Sequence, residues 1–194
     1  MANFTLILDH IAKFEGSLGA DPRDTCAKHP SSFLMPSGVY KGYPVHTNKG
    51  ICYSTWVSAS KVLGYDSSAN GFINMTKTQW SEIIKRIFWD KLYLQYMNSQ
   101  KIAELIMESV WGSGFEGSKS LIEYLQRLVN VNPDGSMGMV TVNALNSKTK
   151  INSVENDIYD KLWNFRLKFL QTLALSPKYS PYIKGWTCLL YTSD

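Results

Sequence analysis

Residues 3–16 read NFTLILDHIAKFEG. Phe4, Ile7, Leu8, Ile11 and Phe14 recur at intervals of three and four, Asp9 and Lys13 fall on the other side, and Gly16 follows as a stop. The spacing predicts an amphipathic helix from Asn3 to Glu15. At 100° per residue Glu15 lies about 20° around that helix from Phe4, between the directions of Leu8 and Ile11 and so on the apolar stripe. It is also the last helical residue, where the helix dipole is negative. Partial desolvation and the dipole both favour the protonated carboxyl, the state a general acid needs near neutral pH. The same geometry admits two plainer placements: a side chain swung into solvent at a fraying helix end, or one bonded to backbone amides of the following loop.

Beyond Gly16 the helical period vanishes until about Thr47, and Gly, Pro and Ser accumulate, as in SSFLMPSGVYKGYP. A loop of that length in a compact protein is usually functional or mobile. Thr76-Lys-Thr-Gln79 has the capping-box pattern and opens a run with Trp80, Ile83, Ile84, Ile87 and Phe88 on one face, extending toward Tyr96. Ser99 is placed to cap a helix carrying Ile102, Leu105, Ile106 and Val110, with Gly112 and Gly114 as its end. A further helix is expected after Ser118 through Leu121, Ile122, Leu125, Leu128 and Val129, broken at Asn132-Pro-Asp-Gly135. A short segment near Thr141, taken as an N-cap, and a long helix from about Val154 through Ile158, Leu162, Phe165, Phe169 and Leu173 complete the chain. Only GVY and KGICYST suggest short strands. The expected class is mainly α.

The 194 residues suffice for one domain, or one domain with a small subdomain, and 44% hydrophobic against 19% charged residues excludes a disordered chain. The net charge of +4 is spread without a run of like charges, which suits an anionic polymer in general but carries no groove-reading motif, so no nucleic-acid partner is expected. No apolar stretch reaches the ~18 residues of a membrane span, so no membrane insertion is expected. The N-terminus has neither a basic leader nor a small-residue cleavage site, which reads as synthesis in the cytoplasm without a cleaved signal peptide. Cys26, Cys52 and Cys188 are odd in number and far apart, and reduced thiols are the expectation. With His10, His29 and His46 they form no common ligand spacing, so neither metal nor other cofactor is expected.

Several segments taken in order resemble the glycoside hydrolase family 108 pattern. Phe14-Glu-Gly-Ser17 resembles the segment bearing that family's catalytic Glu, and His46-Thr-Asn-Lys-Gly-Ile51 before Thr55-Trp56 resembles its Thr-x-x-Gly-Ile segment. Phe88-Trp-Asp90 and Glu108-Ser-Val-Trp-Gly-Ser-Gly114 resemble its tryptophan-bearing helix and the segment that follows. Leu125 to Leu145 resembles the accompanying predicted peptidoglycan-binding domain, and Tyr182-Ile-Lys-Gly-Trp186 also fits. The resemblance implies a lysozyme-like helical fold with a small C-terminal helical subdomain. It divides the chain into a catalytic region over 1–90 and a peptidoglycan-binding helical region over 91–194. The implied activity is that of an N-acetylmuramidase, acting on peptidoglycan glycan strands.

On this reading Glu15 is the catalytic acid, Asp24 keeps the family's spacing for a second carboxylate, and Thr47 takes the place of its threonine. The departures are about 20 residues between Asp24 and Thr47 where about five are usual, Ser17 for a second glycine, Tyr43-Pro44-Val45 where an acidic residue is usual, Glu108 for an Asp, Gly112 for an Asn, and no Arg soon after Gly185-Trp186. An acid to protonate the leaving oxygen, a carboxylate to activate water or stabilise the cationic transition state, and a hydroxyl to orient the water are what glycoside hydrolysis requires. Asp24 is the first choice for the carboxylate, although Asp21-Pro-Arg-Asp24 also reads as a capped turn. Glu108 is a weaker candidate, as a substrate contact or a paired helix residue. Tyr53, Trp56 and Trp111 are the candidate sugar platforms, since pyranose faces pack on aromatic rings. A monomeric endolysin-like enzyme is expected, reaching the wall by holin-type or dedicated export. The rival reading is a non-catalytic cell-wall-binding or secretion-associated protein on a degenerate muramidase scaffold.

Overall fold

The computed structural model of the chain describes residues 1–177 and Thr187. Tyr182–Trp186 and Cys188 lie outside them. The described residues form two compact units, one of Met1–Ala12 with those from Lys85 onward and one of Lys13–Ile84. The units therefore divide before α1 ends and at 84/85, whereas the sequence reading divides the chain at 90/91.

Helix α1 (Phe4–Phe14) forms where the apolar spacing requires it. Ile7 and Ile11 are fully buried. In the Lys13–Ile84 unit three two-residue strands follow: β1 (Leu18–Gly19), β2 (Thr47–Asn48) and β3 (Ile51–Cys52), paired antiparallel in that order. Lys49 and Gly50 join β2 to β3 with φ of 47° and 75°. Positive φ at both central residues is the type I′ hairpin turn, which costs little at glycine and explains why Gly50 stands there.

The stretch without period is thus held by backbone pairing to distant residues. Ser31 N–H donates to Val45 O at 2.8 Å, and Leu34 bridges Pro44. Asp24 caps a 3-10 turn over Thr25–Lys28. The GVY segment at 38–40 is turn rather than strand. Cys26 and Cys52 form a disulfide with Cα atoms 5.5 Å apart, which corrects the expectation of reduced thiols. The 3-10 turn and β3 bring together two residues that counting cysteines could not relate.

Helices α2 (Tyr53–Leu63), α3 (Ala69–Ile73) and α4 (Lys77–Ile83) complete the unit around Trp56, Phe72, Trp80 and Ile83. The capping box opens α4 as expected: Thr76 Oγ1 accepts from Gln79 N–H at 3.2 Å and Gln79 Oε1 accepts from Thr76 N–H at 2.9 Å. The α-geometry ends at Ile83, however, and Ile84–Trp89 continues as a π-type turn.

The other unit is built on α5 (Gln100–Leu128), α6 (Met139–Lys148) and α7 (Asn152–Ala174). Ser99 caps α5, its hydroxyl accepting from Ile102 N–H. The break expected at Gly112 or Gly114 falls at Gly114, where two helical segments within Gln100–Leu128 meet across a kink. Gly114 alone leaves helical geometry, at φ 71° and ψ 173°, and the helix resumes beyond this kink. Thr141 does not cap α6, whose N-cap is Gly138; it lies buried inside the helix and its hydroxyl accepts from Gln126. The buried row of α7 is Ile158, Leu162, Arg166 and Leu170, an i+4 series with an arginine in it, in place of the expected Phe165 and Phe169. No described helix is long and apolar enough to cross a membrane.

Candidate active site

Glu15 directly follows α1, belongs to the Lys13–Ile84 unit and is half-buried. Three residues on, β1 begins, and Gly19 of β1 stands opposite Thr47 of β2. The chain leaving the acid is therefore hydrogen-bonded to the strand that carries the threonine. A Cβ on Gly19 would stand 3.3 Å from Thr47 Cβ, so the absence of a side chain there keeps room for the threonine.

The Thr47 strand is fixed on several sides. His46 N–H donates to Gly19 O at 3.0 Å, and His46 O accepts from Tyr53 N–H at 2.8 Å, tying β1 to the start of α2. Asn48, buried, donates through Nδ2 to Phe72 O at 2.7 Å. At the hairpin tip Lys49 Nζ donates to Met75 O at 3.1 Å, while Lys49 O accepts from Trp80 Nε1 at 2.8 Å. Buried polar groups that are all paired hold one geometry, because any slip would leave a donor or acceptor without water or partner.

His46, directly before Thr47, is only 2% exposed. Its Nε2 is 3.0 Å from the backbone oxygen of Asp21 and its Nδ1 is 2.8 Å from Thr47 Oγ1. The sequence analysis gives His46 no role at the site beyond heading the His46–Ile51 segment; its position directly before Thr47 is the available signal.

Asp24 is half-buried and serves as N-cap: Oδ1 accepts from Cys26 N–H at 2.9 Å and from Thr25 Oγ1 at 3.5 Å. Its Oδ2 makes no hydrogen bond among the described residues. Tyr53 is half-buried, tilted against Phe72 with ring centroids 5.1 Å apart. Trp56 is a correction: it is 0% exposed, stacked on Tyr65 at 6.1 Å and packed on Phe72 at 6.2 Å. A fully enclosed ring is core and offers no face to a sugar.

Glu108 and Trp111 belong to the other unit, three residues apart on α5. Glu108 is 5% exposed and its Oε1 lies 3.1 Å from His10 Nε2 of α1, as a paired helix residue rather than a surface one. Nearby Arg166, also buried, donates through Nη2 to Ser113 Oγ at 2.9 Å. Burial lowers the Arg166 pKa to about 10, with Glu108 opposing that shift, and the guanidinium remains cationic at neutral pH. Polar contacts thus join α1 to α5 through His10 and Glu108 and α5 to α7 through Ser113 and Arg166, beside the apolar packing. Arg166 was not expected from the sequence, although a charge on the i+4 row of Ile158 and Leu162 marked it. Trp111 is half-buried and edge-on to Phe88, with centroids 5.2 Å apart.

A helix ending at an acid, followed by a small sheet that holds a threonine, inside a mainly-α chain, defines the lysozyme-like class of fold. The chain is similar to the solved structure of Brucella abortus SagA, with 21% sequence identity and a TM-score of 0.65, over 98% of this chain and 90% of that one. The family model described as Glycosyl hydrolase 108 matches residues 8–114, more than half of the chain, and the chain belongs to that family. It is accordingly a glycoside hydrolase by family, with a glycan as its class of substrate. No curated protein sequence matches it.

Proposed function

We propose that this chain hydrolyses the β-1,4 bond between N-acetylmuramic acid and N-acetylglucosamine in peptidoglycan, with Glu15 as the general acid. The observation that carries the reading is Thr47: a hydroxyl held by a buried histidine on the strand paired with the one that Glu15 leads into. Protonated Glu15 donates to the glycosidic oxygen as the bond to the anomeric carbon breaks, and Thr47 orients the water that attacks that carbon. Asp24 is the carboxylate assigned to the water, through Oδ2, since Oδ1 serves the cap. Tyr53 and Trp111 remain candidate sugar platforms, and Glu108, enclosed against His10, is given a structural role.

Residues 91–194 are assigned as the peptidoglycan-binding region. The enzyme is read as a monomer that reaches the wall through a holin-type or dedicated export route, since its substrate lies outside the cytoplasm.

The test is the chemistry of the new chain end. Purified peptidoglycan is digested with the protein, the fragments are reduced with borohydride, and the reduced sugar is identified by mass spectrometry. Reduced muramic acid at the ends supports the reading. Reduced glucosamine, or a 1,6-anhydro end that resists reduction, overturns the choice of bond or of reaction. Absence of any new end, with sedimentation onto peptidoglycan retained, favours the non-catalytic wall-binding reading; the engagement of Asp24 as a cap is the feature that agrees with it.

A further inference from the structure

We propose that His46 is a positioning residue for the reaction: its imidazole accepts a hydrogen bond from the Thr47 hydroxyl and thereby turns the Thr47 oxygen into a fixed acceptor for the attacking water. The inference rests on the assignment of Thr47 to that water and adds a residue the family pattern does not supply.

The bonding settles which ring nitrogen carries the hydrogen. The partner of Nε2 is the backbone oxygen of Asp21, at 3.0 Å, and a carbonyl oxygen only accepts. Nε2 is therefore the N–H, and in the neutral ring Nδ1 is the bare acceptor. Its partner at 2.8 Å is Thr47 Oγ1, so the hydroxyl must donate to it. A threonine hydroxyl has one hydrogen and two lone pairs. With the hydrogen committed to His46, Oγ1 presents lone pairs alone and accepts a hydrogen from water, with one orientation of the C–O–H rotor instead of three.

The ring itself has little freedom to answer differently. It is 2% exposed, and its own backbone is bonded on one side to Gly19 and on the other to Tyr53. Its second bond, to Asp21, reaches into the turn whose next residues lead to Asp24. One imidazole thus links the threonine strand to the segment that bears the carboxylate, within a single compact unit.

Two substitutions separate the two bonds. In His46→Asn the side-chain oxygen stands where Nδ1 was and still accepts from Thr47, but nothing reaches Asp21. In His46→Gln the amide nitrogen stands where Nε2 was and still donates to Asp21, but nothing accepts from Thr47. Misplacing a reacting group by about an ångström costs on the order of a hundredfold in rate. Peptidoglycan solubilisation is therefore expected to fall about 10- to 100-fold in kcat for His46→Gln with KM little changed, and His46→Asn should keep rates within about threefold. Adding His46→Gln to Thr47→Val should cost nothing further. Nitrogen-15 histidine spectra of the wild type, at a pH where the ring is neutral, should show the Nε2–H form, with the signals of His46 identified by their loss in His46→Asn.

Gln retaining activity while Asn loses it would overturn the proposal, as would additive losses with Thr47→Val or a bare Nε2 in the spectrum. A wild type that solubilises no peptidoglycan would instead remove the hydrolase reading on which the proposal rests, and the spectrum would still report whether Thr47 is bonded as described. Circular dichroism of each variant tells loss of rate from loss of fold.

Discussion

Removing the Cys26–Cys52 bridge tests the organisation of the loop that carries the candidate site. The two cysteines are 26 residues apart, and the bridge joins the turn capped by Asp24 to Cys52, the residue opposite Thr47 across the hairpin. Cross-linking takes configurational entropy from the unfolded chain, and for a loop of this length the relation gives about 12 cal/mol/K, or about 3.5 kcal/mol at 25 °C. With an unfolding entropy of about 2.1 cal/mol/K per residue over 194 residues, that loss lowers the melting temperature by roughly 9 °C. The perturbation is the double variant Cys26→Ser/Cys52→Ser, which avoids exchange with Cys188. The assay is urea denaturation and calorimetry of variant and oxidised wild type side by side. Amide exchange should quicken chiefly within residues 13–84, the unit that contains both cysteines. A variant within about 0.5 kcal/mol of the oxidised protein, well below the loop-closure expectation, would refute the reasoning.

Two further outcomes follow from single groups. Gln126, buried at the end of α5, donates through Nε2 to Asp134 Oδ1, Ser136 O and Thr141 Oγ1 and accepts from Gly135 N–H. Gln126→Ala leaves that turn without its partners and should lower urea-unfolding stability by about 2–3 kcal/mol, since buried groups lose their bonds together. The Tyr65 hydroxyl donates to Glu82, and this bond raises its pKa to about 12. The folded state thus keeps the proton longer than the unfolded chain, whose phenol titrates near 10. The contribution is complete below about pH 10 and is lost as pH rises toward 12. Ultraviolet titration of phenolate should show one late group that returns to the ordinary range in Glu82→Gln.

What the sequence disclosed was what repeats or caps locally. The apolar spacing of α1 and the Thr76–Gln79 box are visible because their causes lie within a few residues of each other. The break between the helix capped by Ser99 and the one carrying Leu121 to Leu128 is legible in Gly112 and Gly114, and it falls at Gly114, whose φ of 71° a glycine adopts at little cost. The stretch from Ser17 to Thr47 left no periodic trace, because its order comes from single bonds to remote backbone, such as His46 to Gly19 and Lys49 to Ser17. The same cause hid the disulfide and the burial of Trp56, which depends on Tyr65 and Phe72 folding back over it. Of the candidate site, Glu15 and Thr47 could be singled out as residues, while the bonds of His46 needed coordinates.

The account turns on the proton of Glu15, and the most direct measurement is the rate of muropeptide release from purified peptidoglycan by the wild type and by Glu15→Gln, both shown to be folded. Glutamine keeps the shape and removes the transferable proton, so the account predicts a loss of at least about a hundredfold. Equal release by the two proteins would contradict it.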